Sequence, residues 1–175
     1  MKKQLLALPL FVLIAGCAER MEITSAPVDV SRTSSFQSEN YVGNHPVEVR
    51  SFAVSEAVNG KSETTEFSGA NCKIQGAGYT AKFSTPAIVN FPDHGYMSQA
   101  VTGSCQVKSA VRPIVAKPYN VTVANIKSNT GAGGGILGMV VAGVANSIAI
   151  AANDETNDDF GYRSVSVQFP QAEIQ

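Results

Sequence analysis

The sequence has little charge and no excess of either sign. It carries 13 lysines and arginines against 14 aspartates and glutamates in 175 residues, and it has no basic stripe. A nucleic-acid-binding protein needs a clustered excess of Lys and Arg to neutralise phosphates. The composition therefore excludes nucleic acid as a partner.

The sequence also lacks the residue patterns of common metal and catalytic sites. It has only two histidines and three cysteines, no Cys-x-x-Cys, and no Gly-x-Ser-x-Gly elbow around a serine. Asp93 beside His94 could serve a hydrolase, but a side chain that is adjacent in sequence seldom orients its neighbour's ring productively. We therefore expect no enzyme, no metal site and no cofactor.

The N-terminus has the order of a secretory signal. Lys2 and Lys3 precede an uncharged apolar run from Leu5 to Ala15, and Gly16 and Cys17 follow. A run of about a dozen residues is too short to cross a membrane of ~30 Å as a helix. The pattern predicts a signal peptide over residues 1–16 and not a permanent membrane span.

The end of this signal resembles the lipobox of bacterial lipoproteins. The residues are Leu13, Ile14, Ala15, Gly16 and Cys17. The resemblance implies cleavage before Cys17, acylation of that cysteine, and membrane lipid as a partner. The alternative is an ordinary signal peptide with an incidental cysteine. Under the lipoprotein interpretation, Ala18 favours the outer membrane, with the protein facing the periplasm.

The remaining cysteines support export. Once Cys17 is set aside, Cys72 and Cys105 form an even pair in a compartment where disulfides persist. A bridge between them would close a loop of 34 residues, worth roughly 4 kcal/mol on the chain-entropy model. Two free thiols are the alternative.

The mature chain divides into a tether and a domain. Residues 17–46 contain many serines and no sustained periodicity, which is typical of a flexible lipidated tether. A flexible coil of this length would span about 30 Å root-mean-square and about 100 Å at full stretch. The domain is expected over residues 47–175.

Short apolar alternations separated by turn residues predict a mainly β fold, a small antiparallel sandwich. Val47 and Val49 share one face, whereas Phe52 and Val54 lie on the opposite parity, which predicts a bulge or break near Ser51. Further strands are expected at 64–67, 72–75, 79–83, 87–91, 99–107 and 119–126, and a final strand at 163–169.

The text around the cysteine pair resembles small periplasmic lipoproteins with a PEGA-like β-domain. The matching residues are Gly69-Ala70-Asn71-Cys72, the step Thr85-Pro86, and Ser104-Cys105. A glycine-rich apolar segment and a closing strand follow, as they often do in such proteins. The resemblance covers about residues 68–169 and implies a disulfide-clasped sandwich on a membrane, without a known activity.

The segment from Gly131 to Ala152 has no charge and is crowded with glycine at its start. As a helix or helical hairpin it would carry a ridge of small residues that lets another backbone approach closely. We favour a hydrophobic helix inserted before the last strand and packed on the sandwich or exposed to partners, over a membrane span. The ridge residues that would pack against another helix are Gly131, Gly135, Gly138, Ala142, Ala145 and Ala149.

An acidic run follows this segment. Its carboxylates could supply oxygen ligands to calcium, but Asp159 stands where an EF-hand needs glycine. We interpret the run as a solvated loop. It comprises Asp154, Glu155, Asp158 and Asp159.

Together these features favour an envelope lipoprotein with a non-catalytic structural or binding role toward another envelope component. A membrane-associating or self-associating protein that acts through residues 131–152 is the first alternative. A periplasmic hydrolase is the second.

Overall fold

The computed structural model describes residues 20–56, 62–129 and 155–174, with the backbone alone over 126–129. Within these ranges the chain is mainly β. The strands are β1 (Val28–Asp29), β2 (Ser31–Arg32), β3 (Gly43–Val54), β4 (Thr64–Phe67), β5 (Asn71–Gly76), β6 (Tyr79–Ser84), β7 (Ala87–Asp93), β8 (Val101–Val107), β9 (Ala110–Ala116), β10 (Pro118–Asn120), β11 (Phe160–Tyr162) and β12 (Val165–Pro170). The helices are α1 (Val121–Asn129) and α2 (Gln171–Ile174), and short 3-10 turns lie at Ser38–Asn40, Gly95–Met97 and Glu155–Asn157.

The strands form a sandwich of two sheets. The first sheet has the order β1-β7-β3-β12, with β4 also paired to β3, and the second has the order β2-β6-β5-β8-β9. A two-stranded ribbon of β10 and β11 lies beside them. The predicted fold class, a small mainly β sandwich, is confirmed.

Two strand pairs of the first sheet are parallel and not antiparallel. They join β1 to β7 and β12 to β3, and the other pairs of the described chain are antiparallel. Two parallel strands need a long crossover connection between them. The strands of each parallel pair are accordingly far apart in sequence.

The core lies between the two sheets. Phe91 and Phe169 project from the first sheet and Ile74 and Ile114 from the second, and all four are buried. The ring of Phe67 meets that of Phe169 nearly edge to face at 5.7 Å between centroids. Burial of each of the four core side chains stabilises the fold by about 1.5–3 kcal/mol, because it removes apolar surface from water.

The disulfide joins Cys72 and Cys105, as predicted. These residues lie directly opposite each other on β5 and β8, with their Cα atoms 4.0 Å apart. The bridge is buried in the core and ties two central strands of the second sheet together.

Strand β3 is continuous, and the predicted bulge near Ser51 is absent. Residues 43–49 pair with β7, residues 51–54 pair with β4, and on the other edge 49–54 pair with β12 without a break. Val47, Val49, Ser51 and Ala53 all face the core. The strand changes its antiparallel partner at Ser51 and keeps its side-chain parity throughout.

The segment predicted to be a flexible tether through Pro46 is instead structured over much of its length. Strand β1 pairs with β7, β2 pairs with β6, and β3 already begins at Gly43. Val28, Val30 and Phe36 pack against the core. Apolar burial thus outweighs the polar, serine-rich composition that indicated a coil.

The strand predicted at 119–126 is wrong beyond Asn120, where helix α1 begins. The side chain of Asn120 accepts a hydrogen bond from the backbone N–H of Val123 at 2.8 Å. The backbone N–H of Val121 donates to the carbonyl oxygen of Asp159. Asparagine is a favoured helix N-cap, so capping overrides the β propensity of the valines.

Strand β9 was not among the predicted strands, and it contains Pro113. The structure places β9 at the edge of the second sheet, where a proline is tolerated. The predicted final strand is confirmed as β12, which is the last strand of the first sheet and lies beside β3.

Candidate functional site

The first candidate site fixes the N-terminal segment to the folded domain through Arg50. This arginine is 8 % exposed and lies on the outward parity of β3. Its Nε donates to Glu48 Oε2 at 2.9 Å, and one terminal nitrogen donates both to Glu66 Oε1 at 2.7 Å and to the carbonyl oxygen of Met21 at 2.9 Å. The backbone N–H of Met21 in turn donates to Glu66 Oε2 at 2.9 Å. We call Arg50, Glu48, Glu66 and the Met21 backbone the Arg50 clasp.

The electrostatics of the Arg50 clasp favour a permanently ionised group. Burial disfavours the charged guanidinium, but the hydrogen bonds that it donates to Glu48 and Glu66 and their negative charges outweigh this effect, so the pKa of Arg50 is raised. The side chain of Glu66 is only 4 % exposed. Removing one partner of such a buried pair leaves an uncompensated charge and costs about 3–5 kcal/mol.

The Arg50 clasp is of functional interest because it binds a residue that is close in sequence to Cys17. Met21 lies four residues after Cys17, which is outside the described residues. Four residues reach at most about 14 Å when fully extended. Residue 17 is therefore at most about 14 Å along the chain from the Arg50 clasp.

The second candidate site is a small polar recess beside His94. The imidazole is buried and packs against the rings of Phe36 and Tyr41, at centroid distances of 5.3 and 6.2 Å. Its Nε2 atom has no hydrogen-bond partner among the described residues. His94 also lines a cavity of about 10 Å³ together with Tyr79 and Tyr162. This space suits a single group of the size of a water molecule.

The two tyrosines of the recess remain protonated. Burial, with the nearby Tyr162, raises the pKa of Tyr79 well above its ordinary value. Burial also raises the pKa of Tyr162, against a smaller lowering by hydrogen bonds from Ser98 and Tyr79. The Tyr162 hydroxyl donates to the carbonyl oxygen of Gln99 at 2.8 Å. Both phenols are therefore held more firmly in the neutral form than an exposed tyrosine.

The geometry at Asp93 does not support the hydrolase hypothesis. Its Oδ1 accepts from the backbone N–H of Gly95 at 2.8 Å and from the Ser98 hydroxyl at 3.1 Å. No hydrogen bond joins this carboxylate to the His94 ring within the described chain. Asp93 shapes the turn after β7, and His94 packs on aromatic rings instead.

The acidic run organises the start of α1. The Asn120 amide donates to the Asp158 carboxylate, and the backbone N–H of Asp159 donates to the Thr122 hydroxyl at 3.0 Å. Across 20–56, 62–129 and 155–174, no group of three or more His, Cys, Asp or Glu side chains is placed to hold a metal ion. Asp154 lies outside these ranges.

Two predicted sites lie outside the described residues. They are the lipidation site Cys17 and the small-residue ridge, namely Gly131, Gly135, Gly138, Ala142, Ala145 and Ala149. In the part of the chain that the structure does describe, no helix is long and apolar enough to cross a membrane.

Sequence reasoning missed the Arg50 clasp. The one available signal was an arginine among the apolar residues of 47–54, at the place where the apolar parity shifts. Glu48 is two residues from Arg50, but the other partners, Glu66 and Met21, lie 16 and 29 residues away along the chain, so no local pattern could identify them.

Comparison with known proteins adds no family to this picture. No protein-family model, curated protein or solved structure matches the chain significantly. The resemblance to PEGA-like lipoproteins therefore stays a prediction.

Proposed function

We propose that the protein is a membrane-anchored envelope lipoprotein with a non-catalytic structural or binding role, held by acyl chains on Cys17. The proposed cellular location is the outer membrane, with the domain facing the periplasm. The signal over residues 1–16 and the lipobox-like end at Cys17 support export and acylation. The bridge between Cys72 and Cys105 is compatible with an oxidising compartment.

The observation that carries this proposal is the signal that ends at Cys17, and the Arg50 clasp bears on how the domain is placed relative to that anchor. Each methylene group of an acyl chain contributes about 0.8 kcal/mol when it is buried in the membrane. Two or three chains therefore anchor a protein almost irreversibly. A long flexible linker would let the domain move freely relative to that anchor. The clasp instead binds Met21, so only residues 18–20 separate Cys17 from the domain. The first sheet is held against the membrane surface, as suits a protein that supports or binds a component close to the lipid.

Mass spectrometry of the full chain, produced in a bacterium that processes lipoproteins, tests the proposal. We expect an N-terminal peptide that begins at Cys17 and carries acyl chains, and incorporation of labelled palmitate. A Cys17→Ala variant should take up no label. A Ser25→Ala variant, changed outside the signal, is the matched control and should label like the wild type. An unmodified Cys17, or a mature N-terminus elsewhere, would contradict the proposal.

A further inference from the structure

Two lysines face each other on the outer surface of the second sheet. Lys73 on β5 and Lys82 on β6 are direct cross-strand partners, and both side chains are exposed. Residues in this relation have Cβ atoms about 4.5–5.5 Å apart, and like charges placed so are destabilising. The sheet therefore carries a concentrated double positive charge in a protein with a net charge of −1.

The surroundings do not neutralise this charge. Neither lysine forms an ion pair with a residue that the structure describes. The other outward positions of strands β5, β6, β8 and β9 hold no carboxylate. They are Asn71, Gln75, Thr80, Ser84, Thr102, Ser104, Gln106, Val111, Pro113 and Val115.

The lysines also line a concavity that offers hydrogen-bond donors. It has a volume of about 560 Å³, and its wall includes Asn71, Ser84 and Ser104. The Ser84 hydroxyl donates to Asn71 Oδ1 at 3.0 Å, which leaves the NH₂ group of Asn71 free to donate to a ligand. Two ammonium groups and neutral hydrogen-bond donors thus surround one space, and no carboxylate of the described residues lines it.

We propose that this Lys73–Lys82 face binds a phosphate group of a ligand. A phosphate carries up to two negative charges and several acceptor oxygens, so one group can engage both ammonium groups and relieve their repulsion. The face lies on the second sheet, and the Arg50 clasp lies on the outer surface of the first. The site therefore points away from the residues nearest to Cys17. This inference stands on the lysine pair alone and does not depend on acylation.

The test is a titration of the full chain, kept in non-ionic detergent at low ionic strength, with NMR detection of the lysine CεH₂ groups. Inorganic phosphate should produce saturable shifts at Lys73 and Lys82, and chloride at equal ionic strength should not. Glycerol 3-phosphate is titrated in parallel. Tighter binding of the glycerol ester identifies a lipid headgroup as the source of the phosphate, and tighter binding of inorganic phosphate identifies the free ion.

Three variants make the test decisive. Lys73→Gln and Lys82→Gln should each weaken binding about tenfold, because each removes one charge-assisted hydrogen bond. Lys82→Glu replaces a repulsive pair by an attractive one, so it should fold at least as well as the wild type and lose binding altogether. Lys117→Gln, outside the concavity, is the control. Absence of saturable shifts in the wild type, or equal affinity in Lys82→Glu, overturns the proposal.

Discussion

At the scale of single residues, the protein keeps polar groups buried where they hold segments together. Arg50 keeps its charge because two carboxylates and a backbone carbonyl surround it. His94 is held between aromatic rings with one nitrogen left unpaired in the described chain. Such groups cost free energy unless they are paired, so each marks a place where the fold specifies one arrangement.

The buried tyrosines predict a loss of stability in alkali. The pKa of Tyr79 and that of Tyr162 are higher in the folded state than in the unfolded chain. Their contribution to stability is therefore intact below pH 10 and decreases as the pH rises above it, by up to about 1.4 kcal/mol per pH unit for each tyrosine. Chemical denaturation at a series of pH values from neutral into the alkaline range measures this slope.

The variant Tyr79→Phe should lose less stability per pH unit in alkali than the wild type, by the contribution of one titrating tyrosine. Tyr96→Phe is the matched control, because Tyr96 is 54 % exposed and its removal should leave the slope unchanged. An alkaline slope in Tyr79→Phe equal to that of the wild type would show that Tyr79 is not buried as described.

At the scale of elements, the disulfide is the main covalent support of the second sheet. It joins β5 and β8, the two strands that carry Cys72 and Cys105 as direct partners. The double variant Cys72→Ala, Cys105→Ala should lower the free energy of unfolding by about 2–4 kcal/mol, measured by urea denaturation.

Reduction provides the internal control for that experiment. A reducing agent should destabilise the wild type by a similar amount and leave the double variant unchanged. If the double variant and the wild type unfold at the same urea concentration, the bridge does not support the fold.

Strand alternation made most of the β-elements predictable. The expected strands at 64–67, 72–75 and 79–83 coincide with β4, β5 and β6 within a residue or two. In β5 and β6 buried residues alternate with more exposed ones. The cysteine pairing followed from counting alone. These features depend on local periodicity and on composition, which a single sequence contains.

The failures share a different physical origin. Helix α1 depends on the Asn120 cap and on Asp159, a contact 38 residues away along the chain. The ordered segment around Val28 depends on pairing with β7. A long-range contact contributes to both outcomes, together with the local Asn120 cap in the case of α1, and β propensity or polar composition pointed the other way. The Arg50 clasp, the main part of the candidate site, belongs to the same class.

At the scale of the whole molecule, the two outer surfaces of the sandwich differ in what they can contact. The first sheet carries the Arg50 clasp, which binds the backbone of Met21. The second sheet carries the Lys73–Lys82 face. Packed sheets lie about 10 Å apart, so a lipid on Cys17 and a ligand on the lysines would be engaged from opposite sides. The arrangement suits a protein that links the membrane to a second component.

We propose that the Arg50 clasp holds one side of the domain against the membrane. Energy transfer from a dye on the full-length protein to acceptor lipids in reconstituted vesicles tests it most directly. One dye is placed at Thr64, on the outer surface of the first sheet, and in a second sample at Thr102, on the second sheet. Met21→Pro, which removes the N–H that donates to Glu66 without changing Arg50, is the matched variant.

We predict more efficient transfer from Thr64 than from Thr102 in the wild type, because the sandwich is fixed with its first sheet toward the lipid. In Met21→Pro the two efficiencies should move closer together. Equal transfer from both positions in the wild type would contradict the claim, because it would mean that the domain turns freely on its anchor.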